Sequence, residues 1–364
     1  MPEEIQEWVH LNMVAGVGPG RFRKLLEIFG SPRAVLNASV NELAALPGFS
    51  ETLASEILSD RYVLKAETQL TRAREIGAHI IRFIDSGYPS SLRSLPNAPP
   101  ILYLRGNQDV LNSPGASVVG TRLASTYGKR VARETGSALA LAGITVVSGM
   151  ASGIDSAAQR GCLEAEGRTI AVLGTGLDIC FPYSSRDIYQ NAPLNGAVLS
   201  EFPFGEEGWT GNFPARNRII AALTPLTILI EARPNGGSLI TADFAIHEGK
   251  TVMVVPGDIF DPRNLGGHTL IVQGARLATT IEDIVHEALS LNRGSNNPLF
   301  SATPNCLTEE QQKIYNLLQK SPVHIDDLSQ RTGISLPHLL AILTTMETGG
   351  LVNQLPGQTF TAIS

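Results

Sequence analysis

The chain has 364 residues, of which 43% are apolar and 17% are charged. This composition is typical of a soluble globular protein and excludes a disordered or fibrous one, and the length is sufficient for two or three domains. The net charge is −6, so any binding to a nucleic acid must depend on a local basic patch rather than on overall attraction.

The cysteines, histidines and apolar runs exclude further classes of protein. Three cysteines occur without paired spacing, which favours a reducing compartment and argues against a disulfide framework or a zinc module. The seven histidines also lack ligand spacing, so we expect no metal and no cofactor. The first ten residues are acidic, unlike a signal peptide, and no apolar run reaches the length of a membrane helix. We therefore expect a cytoplasmic protein without a membrane anchor.

Residues 1–79 are predicted to be entirely helical. Two similar turns, AGVGPG at 15–20 and LPGF at 46–49, each precede an amphipathic helix. The arrangement resembles a pair of helix-hairpin-helix units, as in SAM-like domains, whose glycine turns can present N–H groups to a DNA phosphate. A helical bundle whose glycines only end helices gives the same pattern. Because the segment has eight Lys/Arg against ten Asp/Glu, we favour the purely structural interpretation or a degenerate DNA-binding module.

Residues 80–290 alternate between strands and helices. The predicted strands, several of them continuous apolar runs, are 80–84, 101–104, 116–119, 144–147, 169–173, 197–199, 226–230 and 251–255. The predicted helices are 124–142, 154–166, 213–223, 238–248, 270–274 and 281–289. This order predicts an α/β fold with a doubly wound, mostly parallel sheet covered on both faces. In such sheets, ligands bind beyond the carboxyl ends of the strands.

The remainder of the chain is predicted to be a linker and a small C-terminal domain. Residues 291–307 are rich in Asn, Ser and Pro, which indicates a linker. Residues 308–364 follow as three helices and two strands, in the order of a winged helix. The presumed recognition helix, 335–348, has no lysine or arginine, whereas a helix that enters the major groove normally brings cations. We therefore predict a protein-contact module there.

Four glycine-containing loops follow predicted strands of the core. They are GTR at 120–122, SGMASG at 148–153, GTGLD at 174–178 and GGS at 236–238. One such loop is a weak signal, because a tight turn between a strand and a helix often requires glycine. Four loops that meet at one sheet edge are a stronger signal, since they form a cleft lined with backbone N–H groups and helix N-termini that attract anions.

Three arginines and a phenylalanine in or near these loops could complete an anion site: Arg122, Arg216, Arg218 and Phe213. The arginines would supply positive charge, and the aromatic ring would offer a base a stacking face. Two alternatives remain open. The arginines of the FPARNR segment could form ion pairs with Glu201 or Glu231, and the phenylalanine could belong to the core.

No constellation of catalytic residues is apparent. The GxGxxG motif is absent, because the loop after strand 116–119 reads GTRLAS, and Walker A is absent too. Ser148 lacks the surroundings of a nucleophile elbow. Asp155 stands at a helix start, where a cap or a partner of the helix dipole is expected.

Six segments resemble the DNA-processing protein A family (DprA, also called Smf). They are VVGTR at 118–122, SGMASGIDSAA at 148–158, AVLGTGLDICFP at 171–182, FPARNRIIAAL at 213–223, EARPNGGSLITADFA at 231–245 and VVPGDI at 254–259. The resemblance implies an extended Rossmann-like core that binds single-stranded DNA and forms a homodimer. It also implies a recombination mediator that shields incoming single strands and loads the RecA recombinase in natural transformation.

The family's DNA pocket corresponds here to Arg122, to Phe213 with the arginines after it, and to the turn at 237–238. Together with the glycine loops, the candidate DNA-binding residues are Gly120, Thr121, Arg122, Ser148, Gly149, Asn212, Phe213, Arg216, Asn217, Arg218, Gly237 and Ser238.

An enzyme is the main alternative. The segment 231–245 is reminiscent of the PGGxGTxxE motif of nucleotide phosphoribohydrolases, with Asp243 at the position of the glutamate. Leu239 and Ile240 stand where the motif has glycine and threonine, so we do not expect that chemistry. A third interpretation is a mononucleotide-sensing or scaffold protein. It would bind a mononucleotide but no oligonucleotide.

Overall fold

The structure is a computed structural model that describes residues 2–293, 309–319, 322–348, 352–355 and 359–362. Contacts within the chain divide it into two units, Met1–Ser295 and Asn296–Ser364. Each unit has its own hydrophobic core.

The first unit begins with six helices: α1 (Pro2–Met13), α2 (Pro19–Phe29), α3 (Pro32–Leu36), α4 (Val40–Ala44), α5 (Glu51–Ile57) and α6 (Arg61–Glu75). Ser31, Ser39 and Ser50 precede α3, α4 and α5, and each hydroxyl accepts a hydrogen bond from a first-turn N–H. Gly30 ends α2 in the left-handed conformation. The predicted helical character of this segment is confirmed as far as Glu75, whereas residues 78–79 already belong to a strand.

Nine strands form the main sheet: β1 (Ala78–Arg82), β2 (Ile101–Gly106), β3 (Gly115–Gly120), β4 (Thr145–Ser148), β5 (Thr169–Val172), β6 (Ala197–Ser200), β7 (Leu226–Ile230), β8 (Thr251–Val254) and β9 (Arg276–Leu277). Their order is β1-β2-β6-β5-β4-β3-β7-β8-β9. β1 and β2 are antiparallel to their neighbours, and the seven other strands run parallel. The predicted α/β doubly wound, mostly parallel sheet is therefore confirmed. Only β9 was not predicted, because two residues carry no pattern.

Eight helices belong to this sheet: α7 (Ser90–Arg93), α8 (Thr126–Leu141), α9 (Ile154–Glu164), α10 (Arg186–Asn195), α11 (Asn212–Leu223), α12 (Gly237–His247), α13 (Leu265–Val272) and α14 (Ile281–Arg293). The sequence did not predict α7, which has four residues, or α10, which contains Pro193. α13 begins five residues before the predicted helix 270–274, since its two glycines lower helix propensity. Within the described ranges, no helix is long and apolar enough to cross a membrane.

Helices cover the sheet on both faces, as the continuous apolar strands require. One cluster of buried side chains includes α11, α12 and α13 with alternate residues of β3 and β7, and another includes α8, α9 and α14 with the residues between them. β4, β5 and β6 lie on one side of β3, whereas β7, β8 and β9 lie on the other. The strand order therefore reverses between β3 and β7, the point at which doubly wound sheets bind ligands.

The N-terminal helices pack directly on the sheet. One hydrophobic cluster contains Trp8 and Phe22 from the helices together with Tyr103 and Leu173 from the sheet. The side chain of Gln69 donates to the carbonyl of Phe204 (3.2 Å) and accepts from its N–H (2.7 Å). The helices and the sheet thus share a core, and a domain boundary at residue 79 stays a prediction.

The second unit contains α15 (Glu309–Leu318), β10 (Val323–His324), α16 (Ile325–Thr332), α17 (Leu336–Thr348), β11 (Val352–Leu355) and β12 (Thr359–Ala362). Its strands form an antiparallel sheet in the order β10-β12-β11. Ile314, Leu328, Leu339, Leu343 and Phe360 are among the buried side chains of its core. The winged-helix order is confirmed. Of the predicted linker at 291–307, residues 291–293 belong to the last turn of α14, and the remainder lies outside the described residues.

Candidate functional site

A cavity of ≈ 610 Å³ opens at the reversal of strand order between β3 and β7. Its walls come from the end of β3, the loop before α9 and the first turns of α11 and α12. It brings together eight of the candidate residues: Gly120, Thr121, Arg122, Phe213, Arg216, Asn217, Gly237 and Ser238. We call this cavity the switch-point cleft.

The ends of β3 and β7 fix one wall of the cleft. Gly120 has no room for a side chain, because a Cβ atom there would lie 1.9 Å from the carbonyl oxygen of Ile230. The N–H of Thr121 donates to the carbonyl of Glu231 (2.8 Å). The carboxylate of Glu231 accepts from the N–H (2.8 Å) and the hydroxyl of Ser125, at the start of α8. Glu231 is therefore bonded elsewhere and is not the partner of either buried arginine.

Arg122 and Phe213 form the exposed part of the cleft. The guanidinium of Arg122 lies over the ring of Phe213, 5.1 Å from its centroid, in cation–π geometry. Phe213 is half-buried, and its ring also lies 5.6 Å from that of Phe181. It is a wall of the cleft rather than a core residue, so the alternative that placed it in the core is set aside.

Arg216 forms the floor of the cleft and is only 4% exposed. Its guanidinium donates to the carbonyls of Gly149 (2.7 Å) and Val172 and to the side-chain oxygen of Asn217 (3.1 Å). Burial lowers its pKa to about 10, against the opposing effect of Asp155. Arg216 therefore remains a cation at neutral pH, and its bonded acceptors are neutral.

Asp155 organises the loop before α9. Its buried carboxylate accepts hydrogen bonds from the N–H groups of Gly149 (3.2 Å), Ala151 and Gly120. Burial raises the pKa of Asp155, although Arg216 and these N–H groups act in the opposite direction. The carboxylate does not cap α9, because the N–H groups that it accepts from precede the helix. It lies in the first turn of α9, where the helix dipole favours an anion, and it ties the ends of β3 and β4 together.

The first turn of α12 supplies backbone donors. Gly237 and Ser238 are its first two residues, so their N–H groups have no acceptor within the helix. They line the cleft, where the helix dipole favours an anion. The side chain of Asn217 donates to the carbonyl of Gly237 (3.0 Å) and so fixes the first turn of α12 against α11.

Four candidate residues do not line the cleft: Ser148, Gly149, Asn212 and Arg218. Ser148 is fully buried and its hydroxyl donates to the carbonyl of Val118 (2.6 Å). Gly149 lies beneath Arg216, where a Cβ atom would be 2.6 Å from the guanidinium. The side chain of Asn212 donates to Glu206 and to the carbonyl of Glu207, both at 3.4 Å. These contacts correct the expectation that all four face a ligand.

Arg218 is the clearest correction. It forms a buried two-point ion pair with Glu201 (2.7 and 2.6 Å). Two residues after Arg216, it lies about 200° further around the helix and lines a different cavity. The ion pair left open in the sequence is therefore formed, with Glu201 as the partner.

Arg233, which was not among the candidates predicted from the sequence, is exposed and lines the cleft. It follows β7 by three residues and directly precedes Pro234. Its position between a strand and a glycine turn was a signal that could have identified it. With Arg122 at the mouth and Arg216 in the floor, it makes the cleft locally basic although the chain is acidic.

A doubly wound sheet with a basic, amide-lined cleft at its switch point defines a nucleotide- or nucleic-acid-binding protein of the Rossmann-like class. Residues 79–289 match DNA recombination-mediator protein A, residues 300–358 match the DprA winged helix domain, and residues 9–60 match the SAM-like helix-hairpin-helix tandem. The chain belongs to the DNA recombination-mediator protein A family.

Several known proteins are similar over long stretches. Protein Smf of Synechocystis is 31% identical over 390 residues, which cover 97% of each chain. DNA processing protein DprA of Streptococcus pneumoniae is 40% identical over 204 residues, 56% of this chain and 72% of the relative. An X-ray structure of the S. pneumoniae protein matches with a TM-score of 0.68 at 32% identity, covering 78% of this chain and 97% of that one. The Helicobacter pylori protein, described for its single-stranded DNA binding mode, matches with a TM-score of 0.54 at 28% identity, covering 58% and 96%.

Proposed function

We propose that this protein binds single-stranded DNA in the switch-point cleft. The observation that carries the proposal is the pairing of Arg122 with the half-buried ring of Phe213 beside the first turn of α12. Single strands are bound by cations and amides that meet phosphates and by aromatic faces that stack on bases. The similarity to the H. pylori protein, whose single-stranded DNA binding mode has been described, supports the same ligand here.

Residues at the mouth of the cleft and residues in its floor have different roles in this proposal. Arg122 and Arg233 meet phosphates at the mouth, and the N–H groups of Gly237 and Ser238 donate to a phosphate oxygen. Arg216 adds positive potential from below without leaving its carbonyl acceptors. Two phosphate contacts at the mouth give a salt slope of about −1.4, at roughly −0.7 for each phosphate neutralised on a single strand.

We further propose that the protein is a recombination mediator rather than an enzyme. It shields incoming single strands and loads the RecA recombinase in natural transformation, which places it in the cytoplasm. Family membership supports this role. Binding by backbone amides, guanidinium groups and a ring face reads no base edge, which suits a protein that must accept any strand.

The phosphoribohydrolase alternative is weakened by the position of Asp243. This residue, which aligns with the catalytic glutamate of that motif, lines the cavity that contains Arg218 rather than the switch-point cleft. The mononucleotide-sensing alternative remains, and the length of the ligand distinguishes it from the proposed function.

The test is fluorescence anisotropy of labelled single- and double-stranded oligonucleotides. We expect the wild type to prefer single strands and to lose affinity with salt, and Arg122→Ala to weaken binding on the order of tenfold, as for a lost stacking and phosphate contact. Arg130→Ala is the matched control, because Arg130 is an exposed arginine on α8 that pairs only at the surface, with Glu134.

Two outcomes would contradict parts of the proposal. Equal, weak binding to both DNA forms that Arg122→Ala does not change would remove the cleft as a DNA site. It would favour the mononucleotide alternatives. Single-strand binding that survives Arg122→Ala would keep the function but move the site elsewhere.

A further inference from the structure

Aromatic side chains continue from the cleft along the segment that follows β5. The ring of Phe213 lies directly on Gly174, where a Cβ atom would be 2.8 Å from it, and meets the ring of Phe181. Phe181 is 48% exposed. Two residues later Tyr183 is 69% exposed, and the guanidinium of Arg186 lies 5.4 Å from its ring centroid. The series therefore consists of three rings, with a guanidinium against the first, that of Phe213, and another against the last, that of Tyr183.

The segment that carries these rings is held in place by its own hydrogen bonds. The hydroxyl of Thr175 donates to the carbonyl of Ile179 (3.0 Å), and that of Tyr189 donates to Leu177 (2.8 Å). Arg160 donates to the carbonyl of Ser184 (2.7 Å). The rings are thus presented on a fixed backbone, so little conformational freedom is lost when a base stacks on them.

The local charge favours phosphates along this segment. Asp187, the carboxylate next to Arg186, is paired through two hydrogen bonds with Arg160 (2.7 and 2.9 Å). Arg160 holds the pKa of Asp187 below its usual value, so the carboxylate stays ionised and matched by a cation. Arg186 adds a positive charge beside the exposed ring of Tyr183.

Two other exposed aromatic residues near the cleft have acidic surroundings. Trp209 follows Glu206 and Glu207 in the chain, and its N–H donates to the carbonyl of Glu207 (3.0 Å). Tyr127 lines a cavity with three carboxylates, of Glu231, Asp258 and Asp261, and one cation, Arg263, which is paired with Asp261. Both settings repel phosphates, whereas the path over Phe181 does not.

We propose that Phe181, Tyr183 and Arg186 form an aromatic track, a second stacking subsite that takes the single strand onward from the switch-point cleft. Bases stack on the two rings, and Arg186 meets a phosphate beside Tyr183, whose hydroxyl accepts a hydrogen bond from Arg186. This inference rests on the proposed function, because the strand reaches the track through the cleft.

The first experiment measures affinity against the length of oligothymidylates, from about four to about twenty nucleotides, a range set by typical single-strand site sizes. We expect Phe181→Ala/Tyr183→Ala to bind long oligomers on the order of tenfold more weakly than the wild type. For short oligomers that fill only the cleft, we expect the affinity of this double variant to lie within about twofold of the wild-type affinity. Tyr127→Ala, which removes another exposed tyrosine (53% exposed), leaves the whole curve unchanged.

A second variant separates stacking from apolar volume. Phe181→Leu/Tyr183→Leu keeps apolar side chains but removes the flat rings, and we expect it to lose the same length-dependent affinity as the alanine variant. 2-Aminopurine placed at successive positions of a long oligomer reports stacking by quenching. The quenching beyond the cleft disappears in both double variants and stays in Tyr127→Ala.

The outcomes distinguish this inference from the proposed function. Suppose that the wild type binds long single strands, that Arg122→Ala weakens this binding, and that both double variants bind as tightly as the wild type. The proposed aromatic track is then wrong, and the switch-point cleft remains the DNA site. If Arg122→Ala does not change the affinity and the protein does not prefer single-stranded over double-stranded oligomers, the proposed function itself is wrong.

Discussion

Two arginines on α11 show that the direction of a side chain determines whether the residue contributes to the cleft or to the stability of the fold. Arg216 lies under the cleft, bonded to neutral carbonyls, whereas Arg218 lies on the opposite side, paired with Glu201. The guanidinium and carboxylate of that pair are 6% and 11% exposed. A buried pair of this kind stabilises little relative to apolar residues, but removing one partner leaves a charge without solvent or counter-ion. Arg218 is therefore structural.

The buried pair gives a prediction on stability. Glu201→Gln leaves the guanidinium of Arg218 unmatched, so the free energy of unfolding falls by about 3 kcal/mol. Single-strand affinity of the folded protein stays within about twofold, because the pair lies outside the cleft. Urea denaturation measures the first quantity, and anisotropy measures the second. A neutral effect of Glu201→Gln on unfolding would contradict the assignment, and Glu201→Leu/Arg218→Met is the control in which both charges are removed.

Three of the candidate residues that line the cleft share one property. Gly120, Arg122 and Gly237 stand where a strand ends or a helix begins, and those boundaries are readable because the strands are continuous apolar runs. Arg218 was misplaced because α11 is buried on all sides from Arg216 to Leu223. A helix without a polar face gives no periodicity from which to deduce where one side chain points.

At the scale of elements, α11 runs from the cleft, at the carboxyl ends of the strands, to the amino ends of the strands. Its first turn carries Phe213, and its last carbonyls, of Ala221 and Ala222, accept hydrogen bonds from the ammonium of Lys250. Lysine at a helix C-terminus matches the dipole. Here the group is also largely buried, and burial lowers the pKa of Lys250 to about 8.

Lys250 therefore gives a prediction on pH. Its folded pKa of about 8 lies below its unfolded value, so between about pH 8 and pH 10.5 the unfolded chain binds more protons than the folded one. The stability of the wild type relative to Lys250→Met consequently rises with pH across that window and is lost again as pH falls through 8. Unfolding of both proteins at pH 7, 9 and 10 measures the difference. A difference in the free energy of unfolding between the two proteins that does not change with pH would contradict the lowered pKa of Lys250.

Elements that were missed have identifiable causes. α10 contains Pro193 and α13 contains Gly266 and Gly267, residues that argue against a helix when read without tertiary context. In the fold, Gly266 has a purpose, because a Cβ atom there would lie 2.7 Å from the carbonyl of Ala232. A close approach between two distant backbones is a property of the packed molecule and leaves no local signal.

At the scale of the whole molecule, the sheet of the first unit ends in a strand that leaves an apolar side chain exposed among the described residues. β9 is the edge strand, and Leu277 in it is 45% exposed. Val272, at the end of α13, is 88% exposed, and Phe260, in the loop after β8, is 87% exposed. Exposed apolar side chains at a sheet edge favour an interaction site, and they support the homodimer through the Rossmann-like core that the family resemblance implies.

The dimer prediction can be checked by light scattering coupled to size-exclusion chromatography. We expect the wild type to have the mass of two chains and Val272→Glu/Leu277→Glu that of one, because two charges cannot be buried unpaired in an interface. Leu194→Glu, at a residue 75% exposed on α10, is the control. A wild type with the mass of one chain at micromolar concentration would contradict the homodimer. The monomeric variant should bind long strands more weakly, since the second cleft no longer adds avidity.

The hydrogen bond from Asn217 to the carbonyl of Gly237 has a consequence for the speed of capture. It fastens the first turns of α11 and α12 to each other, while the bond from Thr121 to Glu231 fastens the ends of β3 and β7. No rearrangement of these walls has to precede an encounter with a strand, so association is governed by diffusion and by the charge at the mouth. Changes to the rings and the floor should then appear chiefly as shorter residence times of the bound strand, with association rates nearly unchanged.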